Sequence, residues 1–292
     1  MDNKNQDRLK RIFSALELPM KPDESIDYGL LPSLIEYQLG IGVEGFYCMG
    51  SSGEALLMSL DERKKALEVI LKAVDGRVPV IAHVGTVRTE DVKNLARHAS
   101  DAGADAISMI PPYYYKFSMN EIISYYEDVI RSVPEIGVIV YNIPQFTGVE
   151  FNKDNAGRLL ANDNVIGVKH TSNNLYSLER MKTAYPDLIL FNGFDEQFLA
   201  SLSMGAEATI GTTVNVFAPL FLKIRECFKN GKMEEALTYQ RQLNKYVEEM
   251  CRVGIFSAVK YILQKRGIDA GACRRPFHPL TAEERARIDA ML

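Results

Sequence analysis

The chain has 292 residues, is 47% hydrophobic and 25% charged, and carries a net charge of −4. Those values describe a globular protein able to bury a sizeable core, long enough for one large domain or two ordinary ones. Lys and Arg are spread along the chain, so no basic block suggests nucleic acid or an anionic membrane, and no apolar run reaches membrane-spanning length.

Residues 11–20 read as a first strand stopped by Pro19, and residues 27–39 have the apolar spacing of a helix. Glu44–Met49 is a short buried strand, followed by Gly50-Ser51-Ser52-Gly53-Glu54. The next helix opens on the capping-box pattern Ser59-Leu-Asp-Glu62 and runs to about Val74. The alternation then repeats. Strands are predicted at Pro79–Val84, Asp105–Ile110, Gly137–Asn142, Val165–Lys169, Leu188–Asn192 and Glu207–Gly211. Between them lie helices over 90–102, 119–132, 152–161, 175–184 and 195–203. After residue 215 the pattern is helical only, in segments near 216–229, 231–250, 254–266 and 281–291.

Eight strands separated by seven helices imply a parallel sheet. Eight such units favour a (β/α)8 barrel over an open doubly wound sheet, and no GxGxxG follows the first strand. The expected organisation is a barrel over residues 1–230 and a helical C-terminal extension over 231–292. Active sites of this fold lie at the carboxyl ends of the strands.

Several groups stand there. Val165–Lys169 is apolar except for Gly167 until it ends on Lys169. Desolvating an ammonium is costly, so a lysine there either turns to solvent or points into a site where its neutral amine can attack a ketone. Tyr141 ends the preceding strand. Adjacent strands are roughly 5 Å apart, so a phenol there can reach the amine and pass protons, or simply pack. The Gly50–Glu54 loop fits an anion nest, for a carboxylate as well as a phosphate, or a plain turn. Gly193-Phe194-Asp195-Glu196 offers carboxylates to a polyhydroxylated ligand or caps a helix. Gly211-Thr212-Thr213 supplies a hydroxyl and backbone groups. Pro111-Pro-Tyr113-Tyr114-Tyr115 suits a pocket wall, an interface or ordinary loop packing.

Cys48, Cys227, Cys251 and Cys273 form no CxxC pair and read as free thiols in a reducing compartment. His83, His98, His170 and His278 show no HExxH-like spacing, so no local metal signature is found. The polar amino terminus has no apolar h-region, and a cytoplasmic protein is expected.

Taken together, Gly50-Ser-Ser-Gly-Glu54, Tyr141-Asn-Ile-Pro144 and Gly167-Val-Lys169 resemble three motifs of one family. It is that of the pyruvate-dependent class I aldolases, the dihydrodipicolinate synthase and N-acetylneuraminate lyase superfamily. The resemblance runs from residue 11 to the C-terminus. It implies that Lys169 forms an imine with the C2 ketone of a 2-oxo acid, that Tyr141 relays protons, and that the Ser51–Ser52 loop holds the substrate carboxylate. It implies neither a metal nor a diffusible cofactor, and a homotetramer in which Tyr113 or Tyr114 reaches across the tight-dimer interface.

Two positions choose among subfamilies. Phe146 falls where the synthases typically carry an arginine for a second carboxylate, so a dicarboxylate product would lack its bidentate partner. Phe191-Asn-Gly-Phe-Asp195-Glu196 and Lys169-His-Thr171 resemble the sialic acid lyase branch. That resemblance implies reversible cleavage of N-acetylneuraminate, a nine-carbon keto sugar acid, to N-acetylmannosamine and pyruvate. Thr171, Gly193, Asp195, Glu196, Gly211 and Thr212 would hold the sugar chain. Thr212 and Ser52 stand where serine and threonine are usual, and both keep a hydroxyl. Val214 stands where those lyases often have tyrosine, which bears on sugar specificity. The alternatives are a 2-keto-3-deoxy sugar acid aldolase, a dihydrodipicolinate synthase, and a barrel that binds a keto acid without turning it over.

Overall fold

The computed structural model describes residues 6–292. Eight short strands, β1 (Ile12–Ala15), β2 (Gly45–Cys48), β3 (Val80–His83), β4 (Ala106–Met109), β5 (Val138–Asn142), β6 (Val165–His170), β7 (Ile189–Asn192) and β8 (Ala208–Gly211), follow one another as hydrogen-bonded neighbours in a closed barrel. The ladders β1–β2 and β3 through β8 are parallel. Every strand residue is buried. That is why the strands read as apolar runs rather than as alternations: a parallel sheet is covered on both faces.

The helices between the strands are α1 (Leu31–Gly40), α2 (Leu60–Val74), α3 (Thr89–Asp101), α4 (Met119–Ser132), α5 (Pro144–Thr147), α6 (Gly157–Leu160), α7 (Leu175–Ala184) and α8 (Phe198–Ser203). The capping box expected at Ser59 and Glu62 is formed, and Ser118 with Glu121 and Thr281 with Glu284 build the same device. The helix expected over 152–161 is only the single turn α6. Asn152 accepts hydrogen bonds on its side-chain oxygen from the Asp154 and Asn155 amides, 2.9 Å each, which makes a turn where the helix would have begun. The segment at 195–203 starts as a 3-10 turn, Asp195–Gln197, before α8.

By internal contacts the chain groups into two compact units. One comprises Pro79–Ile210 and, of the described residues before it, those from 6 to 11; the other comprises Ile12–Val78 and Gly211–Leu292. The second carries the C-terminal helices α9 (Val214–Lys229), α10 (Met233–Val253), α11 (Ile255–Lys265) and α12 (Ala282–Met291). Among the described residues, no helix is long and apolar enough to cross a membrane.

Candidate active site

In the first unit, β5 and β6 bring together two of the residues singled out in the sequence, Tyr141 and Lys169. Their register starts at Val138 opposite Val165, slips by one residue, and continues with Ile139 opposite Gly167 and Tyr141 opposite Lys169. The slip matters because strand side chains alternate faces: without it, Tyr141 would lie beside Val168 and Lys169 would face the other way. Gly167 permits the neighbouring β7 to close in, since a Cβ there would lie 2.5 Å from the Ile189 carbonyl oxygen. Lys169 and Tyr141 are both buried. The Lys169 Nζ sits 4.0 Å from the centre of the Tyr141 ring. His83, at the end of β3, meets that ring edge-on with centroids 6.1 Å apart. An amine and a phenol are thus held together in a dry setting, the arrangement that imine formation and proton transfer need.

The residues next to this pair lock the two strand ends. Asn142 accepts from the Phe151 amide (3.0 Å) on its side-chain oxygen and donates from Nδ2 to the Nδ1 of His170 (3.1 Å). The Nε2 of His170 then donates to the Asn174 carbonyl, 3.1 Å away. This chain of bonds requires a neutral imidazole, and burial lowers the His170 pKa to about 4. An unfolded histidine titrates near 6.5, so between about pH 6.5 and 4 the unfolded chain takes up a proton that the folded one does not. Folding stability from this residue is therefore present above pH 6.5 and is lost as the pH falls toward 4, by an amount on the order of 3 kcal/mol. Urea unfolding of the wild type and of His170→Gln at pH 7.5 and 4.5 measures it. The variant should lose less stability on acidification, and an identical loss in both proteins would assign the acid sensitivity elsewhere.

Just beyond β6 and β7, Thr171 and Gly193 touch. A Cβ on Gly193 would lie 1.9 Å from the Thr171 hydroxyl oxygen, so only glycine fits against that side chain. The Gly193 amide donates to the His170 carbonyl at 2.9 Å. The Thr171 Oγ1 is buried and has no hydrogen-bond partner among the described residues. Asp195 is buried and opens the 3-10 turn, and burial pushes the Glu196 carboxyl above its ordinary range.

In the second unit, the Gly50–Glu54 loop follows β2. Ser52 is buried, and its Oγ lies 2.8 Å from the Oγ1 of Thr212. Ser51 is half-buried beside it in the chain, and Gly211 closes β8 just before Thr212. Gly50 packs on the Tyr47 ring, 2.6 Å from where its Cβ would be. The tyrosines after β4 belong to the first unit. Tyr113 is half-buried, while Tyr114 is 88% exposed with a φ of 76° and stacks edge-on with Tyr115.

Several residues of these surroundings escaped the sequence reading. Asn142 and His170 adjoin the two motif residues but look there like ordinary strand ends. His83 gave no signal beyond its position at the end of a strand. Glu17 and Lys260 did leave one: a charge inside Leu16–Leu18, and another on the apolar face formed by Ala258, Val259, Ile262 and Leu263.

Comparison with known proteins gives a consistent result. The model of the dihydrodipicolinate synthetase family matches residues 8–292. An N-acetylneuraminate lyase of Rhizobium meliloti is 41% identical over 281 residues, which is 96% of this chain and 93% of that one. A Clostridium difficile protein, CdNal, solved in complex with mannosamine, superposes with a TM-score of 0.94 at 36% identity, covering 97% of this chain and 98% of the other. A catalytic lysine mutant of the sialic acid aldolase of Ruminococcus gnavus gives a TM-score of 0.94 at 34% identity, over 98% and 95% of the two chains.

Proposed function

This chain belongs to the dihydrodipicolinate synthetase family, and we propose that its reaction is the reversible aldol cleavage of N-acetylneuraminate to N-acetylmannosamine and pyruvate. The observation that carries the reading is the buried pair of Lys169 and Tyr141, with the amine 4.0 Å from the ring centre. It is a lyase acting through an amine, and the Ruminococcus gnavus relative is likewise described by a catalytic lysine.

The Lys169 amine adds to the C2 ketone of the open-chain substrate, and loss of water gives an iminium. Tyr141 takes the proton of the C4 hydroxyl. As the C4 carbonyl forms, the C3–C4 bond breaks and its electron pair moves through C2 onto the nitrogen, leaving an enamine. Protonation at C3 and hydrolysis free pyruvate and return the amine. The Ser51–Ser52 loop holds the substrate carboxylate with its amides and hydroxyls. The hydroxylated tail is held by Thr171, Gly193, Asp195, Glu196, Gly211 and Thr212. The unpartnered Thr171 hydroxyl supports this, because a sugar hydroxyl would complete it. Phe146, 67% exposed, offers no cation for a second carboxylate, which supports a sugar acid over a dicarboxylate. The exposed Tyr114 supports an assembly of subunits, proposed as a homotetramer, in which Tyr113 or Tyr114 lies at the contact.

Pyruvate released from N-acetylneuraminate by the purified protein, followed with a coupled reductase, tests the reading. Steady release is expected. No release, with pyruvate still trapped on Lys169 by borohydride, would keep the imine chemistry and reject the sugar acid; no trapping would reject both.

A further inference from the structure

Behind the Gly50–Gly53 loop, the second unit buries a cluster of charged groups that the reaction does not use. Glu54 closes the loop in the left-handed region, with a φ of 57°, a conformation a glutamate adopts only when it is held there. Its carboxylate is wholly buried. One oxygen accepts from the Lys260 ammonium at 2.6 Å and the other from the Arg274 amide at 2.6 Å. Lys260, 1% exposed on α11, also donates to the Ala272 carbonyl at 3.2 Å. The Arg274 guanidinium reaches past Glu54 to the Leu57 carbonyl at 2.8 Å. A segment more than two hundred residues away in sequence therefore grips the end of the loop at two places.

Beside the pair lies Glu17, fully buried, with neither carboxyl oxygen hydrogen-bonded among the described residues. Ligand atoms of Glu17, Glu54 and Cys273 lie within 4.8 Å of one another. Lys260 already serves that group as its cation, so the cluster is better matched to one ammonium than to a metal ion. Burial pushes the Glu17 carboxyl well above its ordinary range, against the pull of Lys260, and pushes the Cys273 thiol up to about 12. The cluster thus sets one lysine among two buried carboxyl groups and a thiol.

We propose that Glu54, gripped by Lys260 and the Arg274 amide, is a positioning residue that sets the shape of the Gly50–Gly53 loop for the carboxylate of pyruvate and of the keto acid substrate, and that Glu17 stands as the alternative partner of Lys260. The inference rests on reading that loop as the carboxylate holder. The grip is at the residue next to Gly53, and Ser52 in turn is held by Thr212. Loosening it disperses amides that must converge on one anion, which weakens binding of the carboxylate more than it slows the bond-breaking step. Glu54→Gln removes the charge and keeps the volume. Lys260 then has the Glu17 carboxyl as its remaining acidic neighbour in the cluster, which offers it a replacement partner.

The experiment is borohydride trapping of pyruvate, read by intact mass, alongside cleavage kinetics, for the wild type, Glu54→Gln and Glu17→Gln. In Glu54→Gln the pyruvate concentration for half-maximal trapping should rise about tenfold, while kcat for cleavage stays within about threefold. Glu17→Gln should match the wild type in both. The double variant leaves Lys260 with no carboxylate, and its fall in melting temperature should exceed the sum of the single variants. A folded Glu54→Gln with wild-type half-saturation overturns the positioning role, and an additive double variant overturns the part assigned to Glu17. Should Glu54→Gln not fold, Glu54→Gln with Lys260→Met, in which both charges are gone, takes its place: raised half-saturation supports the positioning role and wild-type half-saturation overturns it. A wild type that traps no pyruvate overturns instead the imine chemistry on which the reading of the loop rests.

Discussion

Lys169→Ala is expected to lower turnover of N-acetylneuraminate by about 10⁴-fold or more, with the folded state retained. The Lys169 amine is the one held against the Tyr141 ring, and the imine is the only electron sink in the proposed sequence. Without it, the electron pair of the C3–C4 bond has nowhere to go. The substitution removes the buried Lys169 side chain from β6 and leaves the backbone ladders to β5 and β7 untouched. The loss of packing is partly offset because a polar amine no longer has to be kept out of water. Circular dichroism and melting should therefore stay close to the wild type. Intact-mass analysis after borohydride should find no pyruvate adduct. Activity within tenfold of the wild type would remove Lys169 from the mechanism.

Tyr141→Phe has the second-largest expected effect, a fall in kcat of about 10²- to 10⁴-fold. Phenylalanine keeps the ring beneath the Lys169 amine and its edge contact with His83, so the strand end keeps its shape. Only the hydroxyl is lost, and with it the group that takes the C4 proton as the bond breaks. Because the amine remains, pyruvate should still be trapped on Lys169, more slowly than in the wild type. That combination separates a proton-transfer role from a packing role. A Tyr141→Phe protein with wild-type kcat would leave the tyrosine as a wall of the pocket, and one that also fails to trap pyruvate would place its main role in forming the imine.

Much of this protein is legible in its chain. The alternation of short apolar runs with helical spacing determines a parallel barrel, because both faces of each strand must be covered and each crossover must be helical. The positions of Lys169, Tyr141 and the Gly50–Glu54 loop follow from that alternation, since each stands at the carboxyl end of a strand. The helix expected at 152–161 failed locally, where the Asn152 side chain competes for the backbone amides that a helix would have used.

Tertiary structure decided the rest. Whether a lysine ending a strand faces solvent or a phenol depends on the one-residue slip between β5 and β6, and register is set by pairing between segments, which a single strand does not encode. The requirement for Gly193 exists only because the Thr171 hydroxyl arrives from the neighbouring strand end. Glu17 and Lys260 stand out in sequence as charges in apolar surroundings. That Glu54 and Lys260 share one buried bond, with Glu17 left over, depends on bringing together residues 54 and 260, which only the folded chain does. Composition and periodicity determine which elements form, because those follow from local sterics and from the need to bury apolar faces. Which side chains meet is decided by packing, because it depends on distances between elements that no local pattern carries.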